Sequence, residues 1–154
     1  MKRIALFFIA SLLLGSSYAQ DESLLRKKQF NLEEDVAISG YDPVAYFTPG
    51  KAIKGSKDIS LVHQGVTYYF SSTANKETFK KNPAAYEPAY GGWCAYAMGA
   101  KAEKVTIDPK TFKVLNGKLY LFYNKFFNNT LTEWNKDETN LKKKADASWT
   151  KIYH

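Results

Sequence analysis

Sulfur and imidazole are scarce in this sequence. Its 154 residues hold one cysteine, Cys94, two methionines, and two histidines, His63 and His154. A lone cysteine closes no disulfide within a chain, which excludes a stapled miniprotein. Five prolines and nine glycines exclude collagen-like repeats, and the apolar content excludes long-range disorder. No glycine-rich loop is shaped to cradle a phosphate, no Ser-His-Asp set has usable spacing, and the carboxylates are scattered. Acids are the minority charge, 15 Asp+Glu against 22 Lys+Arg, for a formal net charge of +7. That balance is modest for the length. The Lys142-Lys143-Lys144 run has no interleaved aromatics and reads as the solvated face of a helix, so nucleic acid is not an expected partner.

What is present begins with an address. Lys2 and Arg3 precede an apolar run from Ile4 to Leu14, and Ser17-Tyr18-Ala19 places small residues where a signal peptidase inspects them. The run is short of the ~20 residues of a comfortable membrane anchor. Residues 1–19 are therefore expected to be a cleaved secretory signal, with an uncleaved anchor as the alternative. Cleavage would leave an exported protein, periplasmic or secreted, without a stable membrane span. Met98 would then be its one methionine.

The remaining chain is expected to be a 20–35 arm, frayed or helical, followed by one α+β domain over 36–154. Its architecture is expected to be a small antiparallel sheet of short hairpins packed with short helices, closed by a C-terminal helical segment. Ile59–His63 and Val66–Phe70 read as strands of a hairpin turned at Gln64-Gly65. Ser72 and Thr73 can cap a helix over Ala74–Lys81 that stops at Asn82-Pro83. Asp42-Pro43 and Asp108-Pro109 both carry a helix-start signature. The alanines after Gly92 predict a short helix ended by Gly99. Asn116-Gly117 suits a type I′ turn between Phe112–Leu115 and Leu119–Tyr123. Leu131 and Trp134, then Leu141, Ala145, Trp149 and Ile152, recur at near-helical spacing.

Tyr68-Tyr69-Phe70-Ser71-Ser72-Thr73-Ala74-Asn75-Lys76-Glu77-Thr78-Phe79, followed by Asn82-Pro83 and Tyr86, resembles the YHS domain. Asp42-Pro43-Val44 resembles that family's opening, and Tyr90-Gly91-Gly92-Trp93-Cys94-Ala95 resembles its longer exported subgroup. The resemblance spans roughly residues 36 to 149 and implies a small module kept in the company of heavy-metal transport ATPases. Metal-associated members carry cysteine at three positions that here read Ala45, Ser71 and Asn75. A tetrahedral thiolate site needs about four soft ligands. The family's usual metal site is thus not available to this chain.

Three readings of function stay open. Cys94 and Met98 are spaced i, i+4, and on a helix both sulfurs would face one side. With His63 they would form a soft site for a copper ion, although free cysteine and methionine are also common core residues. Tyr90, Trp93 and Tyr96, with Tyr86 nearby, would instead line a surface for a small ligand or a protein, or serve only as core. A thiol-dependent enzyme is the third reading, and it lacks a base placed near Cys94. A binding module rather than an enzyme is the expectation. Asn128-Asn129-Thr130 also fits the glycosylation pattern of eukaryotic secretion.

Overall fold

A computed structural model describes residues 20–154; the expected signal segment, 1–19, lies outside the described residues. Helix α1 covers 20–29. It is docked rather than frayed, with Arg26 buried against the body of the domain. Strands β1 (Leu32–Glu33) and β2 (Val36–Ala37) follow. They join β3 (Ser56–His63) and β4 (Val66–Phe70) in a four-stranded sheet of order β1-β2-β4-β3, in which β2 runs parallel to β4. Alternation explains which face β4 buries. Val66, Tyr68 and Phe70 are fully buried, while Thr67 and Tyr69 are not.

Ser72 caps helix α2 (Thr73–Lys81), its Oγ accepting the Asn75 N–H at 3.1 Å. Phe79 is the buried anchor of α2, with ring centroids 4.7 Å from Tyr68 and 5.3 Å from Phe70. Helix α3 (Pro83–Tyr86) is a single turn, opened by its proline.

Helix α4 spans Ala95–Lys101, not Gly92–Gly99 as the alanines suggest. Tyr90, Gly91 and Gly92 all hold positive φ, so the backbone is not helical before Trp93. Gly99 sits inside α4 because a side chain would not fit there. A Cβ at Gly99 would lie 2.4 Å from the Leu141 carbonyl oxygen. The helix instead ends at Ala102, in the left-handed conformation.

Strands β5 (Asp108–Leu115) and β6 (Lys118–Phe122) form the second sheet, joined at Asn116 (φ 50°) and Gly117 (φ 73°) as the type I′ signal requires. Asp108-Pro109 starts β5 rather than a helix. The Asp108 carboxylate accepts the Lys110 N–H at 3.0 Å and the Thr111 hydroxyl at 3.2 Å, which folds the strand's entry into a bulge. A small hairpin of β7 (Asn124–Lys125) and β8 (Asn128–Asn129) leads into α5 (Thr130–Lys136) and α6 (Glu138–Tyr153). The molecule is thus α+β with short hairpins, short helices and a C-terminal helical pair.

Strand β6 is buried on both faces and separates two cores. Leu119 and Leu121 join Tyr46, Val66, Tyr68, Phe70 and Phe79 on one side. Tyr120 and Phe122 join Met98, Trp134, Leu141 and Ala145 on the other. A period of two, with no polar face, is the pattern of a strand enclosed by other elements.

Candidate functional site

The structure does not bring Cys94, Met98 and His63 together. Cys94 is the cap residue before α4, with an extended ψ of 117°, so the same-face rule for helical i, i+4 pairs does not reach it. Its thiol packs in the first core, 3.4 Å from the Thr130 hydroxyl, and accepts the Tyr123 N–H at 3.4 Å. Met98 is fully buried in the second core. His63 is half-buried on β3, edge-on to Phe79 at 6.1 Å, where burial pushes its pKa down. A cavity of about 240 Å³ is lined by Cys94, Tyr96, Tyr123 and Thr130, and by neither Met98 nor His63. The expected three-residue copper site is not assembled. Among the described residues, no group of three or more His, Cys, Asp or Glu side chains could hold a metal ion.

The three positions where metal-associated YHS sequences carry cysteine do converge, on the buried carboxylate of Asp42. Its Oδ1 accepts the N–H groups of Val44 at 2.9 Å and Ala45 at 3.4 Å. Its Oδ2 accepts the Ser71 N–H at 2.8 Å, the Ser71 hydroxyl at 2.6 Å and the Asn75 amide at 2.7 Å. Asp42 is fully buried. A carboxylate surrounded by five donors has no lone pair turned to a cation, and Ala45 supplies no side-chain ligand. The residues present do not fit the family's metal. They pin the 42–45 turn to α2 by hydrogen bonds instead.

The aromatic set divides three ways. Trp93 turns to α1, donating its indole N–H to the Gln29 carbonyl at 2.6 Å, with Lys104 over its ring. Tyr96 lines the Cys94 cavity. Tyr90 alone of the three borders a larger cavity, of about 450 Å³, between α1, the 88–91 turn, β6 and α6.

That cavity is framed by a close approach at Gly91. A Cβ there would lie 2.7 Å from Phe30 and 2.9 Å from Trp149, and its φ of 58° is one that glycine adopts freely. Asn31 fixes the turn, donating its backbone N–H to the Gly91 carbonyl at 2.9 Å and its amide to the Gly92 carbonyl at 3.0 Å. Phe30, Trp149 and Tyr153 then stack as a wall, with centroids 5.3 to 6.1 Å apart. The Tyr153 hydroxyl donates to Glu22 at 2.5 Å, clasping α1 to α6. Burial, with that carboxylate, pushes the Tyr153 pKa up to about 12.

Charged groups cross this apolar frame. Arg26, 5% exposed, pairs through both terminal nitrogens with Glu87, which also accepts the Tyr68 hydroxyl at 2.7 Å. Asp146 accepts the Tyr90 hydroxyl at 2.8 Å and the Lys142 ammonium at 2.7 Å. Among the described residues Lys118 reaches only the Ala84 carbonyl, at 3.3 Å. Burial pushes its pKa down, against the pull of Glu87. Sequence reasoning passed over Arg26 and Lys118. For Arg26 a signal was available, since Glu22, Arg26 and Phe30 recur every four residues and share one helix face.

Residues 44–90 match the family model of the YHS domain. No curated protein and no solved structure matches the chain. The matched stretch starts in the Asp42 turn and runs through β3, β4, α2 and α3 to Tyr90 at the cavity's edge. Helices α1 and α6 and strand β6 supply the other walls from outside it. Over residues 44–90, up to the tyrosine on the cavity's rim, this chain matches the YHS domain.

Proposed function

We propose that this protein is an exported binding module, without catalytic activity of its own, that holds a small organic ligand in the Tyr90 cavity. One observation carries the reading: a cavity of about 450 Å³ with aromatic walls and a few convergent charged groups. Small-ligand sites have that size. Export rests on the basic, apolar and small-residue order of residues 1–19. No helix among the described residues is long and apolar enough to cross a membrane. Among the described residues the buried Cys94 thiol meets the Thr130 hydroxyl and the Tyr123 N–H, neither of them a general base, which favours binding over thiol chemistry.

A mixed set of neutral, anionic and cationic aromatic fragments, screened against the protein by ligand-observed NMR, tests the proposal. We expect a subset to bind, and Trp149→Ala to weaken that subset by about tenfold through loss of the ring wall. Absence of binding by the wild type, or equal binding by the variant, would overturn it.

A further inference from the structure

We propose that the Tyr90 cavity takes a monocarboxylate with a flat ring, its carboxylate drawn to Lys118 and the Arg26 guanidinium and its body against the aromatic wall. This rests on reading the cavity as a ligand site, and it adds the ligand's charge and shape.

Both carboxylates in the wall are occupied, Glu87 by Arg26 and Tyr68, Asp146 by Tyr90 and Lys142. Two donors are left over. Arg26 Nε is the one buried side-chain nitrogen or oxygen without a hydrogen-bond partner among the described residues, and Arg26 lines the cavity. Lys118 also lines it and makes no ion pair among the described residues. A buried donor without a partner is costly and is normally satisfied. What the cavity lacks is an acceptor.

Charge narrows the class further. Arg26, Lys142 and Lys118 are opposed by Glu87 and Asp146, which leaves one uncompensated positive charge. A monoanion closes that balance. A cation would add repulsion and leave both donors unused, and a neutral ligand would leave the charge unanswered. The burial that makes the Lys118 ammonium easier to deprotonate also strengthens its attraction to an anion. A ring-bearing body follows from the aromatic lining, in which Phe30, Tyr120 and Trp149 take part.

The test uses three ring-matched probes, benzoate, benzamide and benzylammonium, titrated at low salt into the wild-type protein, Lys118→Gln and Lys118→Arg. Benzoate is expected to bind at least tenfold more tightly than benzamide, and benzylammonium most weakly. Lys118→Gln should cost benzoate about tenfold while leaving benzamide unchanged, and Lys118→Arg should restore most of the loss. If benzamide equals benzoate and Lys118→Gln moves neither, the anion assignment is overturned while the cavity reading stands. If none of the three binds but other fragments do, the assignment falls alone. If nothing binds at millimolar concentration, both fall.

Discussion

Two buried charges, on Asp42 and on Arg26, meet opposite fates. The Asp42 carboxylate receives five donors from its own turn, from Ser71 and from Asn75. Nothing is left over. The Arg26 guanidinium spends its terminal nitrogens on Glu87 and keeps Nε unpartnered beside an open cavity. Burial is the same in kind, but the completeness of the network differs. A closed network acts as a strut, because each group in it has only intramolecular work. A network one acceptor short leaves something for a ligand to complete.

The strut can be broken most severely at its centre. Asp42→Ala strands the buried N–H groups of Val44 and Ala45 and unties Ser71 and Asn75 from the turn, and is expected to cost about 3 kcal/mol. Urea unfolding measures it. A loss below about 1 kcal/mol would show that the 42–45 turn holds to α2 without the carboxylate.

The frame of the cavity yields less. Gly91→Ala drives a methyl into Phe30 and Trp149 and imposes a left-handed alanine, for a loss of about 2 kcal/mol and a change in tryptophan fluorescence as the ring moves. Gly50→Ala is the control, because its φ is 78° but no atom lies within 4 Å of the added carbon. It should show the backbone penalty of about 1 kcal/mol alone. Equal losses at the two glycines would mean that the aromatic wall yields freely, and the cavity would then be less rigid than its packing implies.

What could be read beforehand divides by range. Local signals were legible: the Ser72 cap, the Asn116-Gly117 turn, and the hairpin turned at Gln64-Gly65. Where one local signal serves two structures, it misled. Asp-Pro holds a turn at 42–45 and a strand bulge at 108–112, and only tertiary context selects between them. The helical face expected of Cys94 and Met98 failed on a single residue: the Cys94 carbonyl accepts the Met98 N–H, but as the cap it has a non-helical ψ of 117°, which turns its side chain away from the helix face. The cavity was least legible. Arg26 meets Glu87 across 61 positions, and Lys118 meets Ala84 across 34, separations that no window of periodicity spans. Conversely, Ala45, Ser71 and Asn75 could be singled out in the sequence, but their convergence on Asp42 required the fold.

The faintest expected effect joins the two regions through His63, on β3 beside the Arg26–Glu87 pair. Burial lowers its pKa, Glu87 raises it, and Arg26 lowers it, with the net direction downward. Its folded pKa therefore lies below the ordinary value of 6.5 that governs the unfolded chain. Between the two values the unfolded chain binds more protons, so stability falls as pH falls through that window and is fully present above it. Urea unfolding at pH 7.5 and pH 5 should show wild type losing slightly more stability on acidification than His63→Gln. The difference is small because His63 is only half-buried, and solvent screens much of it. An opposite sign would mean that Glu87 outweighs burial at His63. The carboxylate would then have charge to spare beyond Arg26, and the wall would be less short of acceptors than its hydrogen bonds indicate.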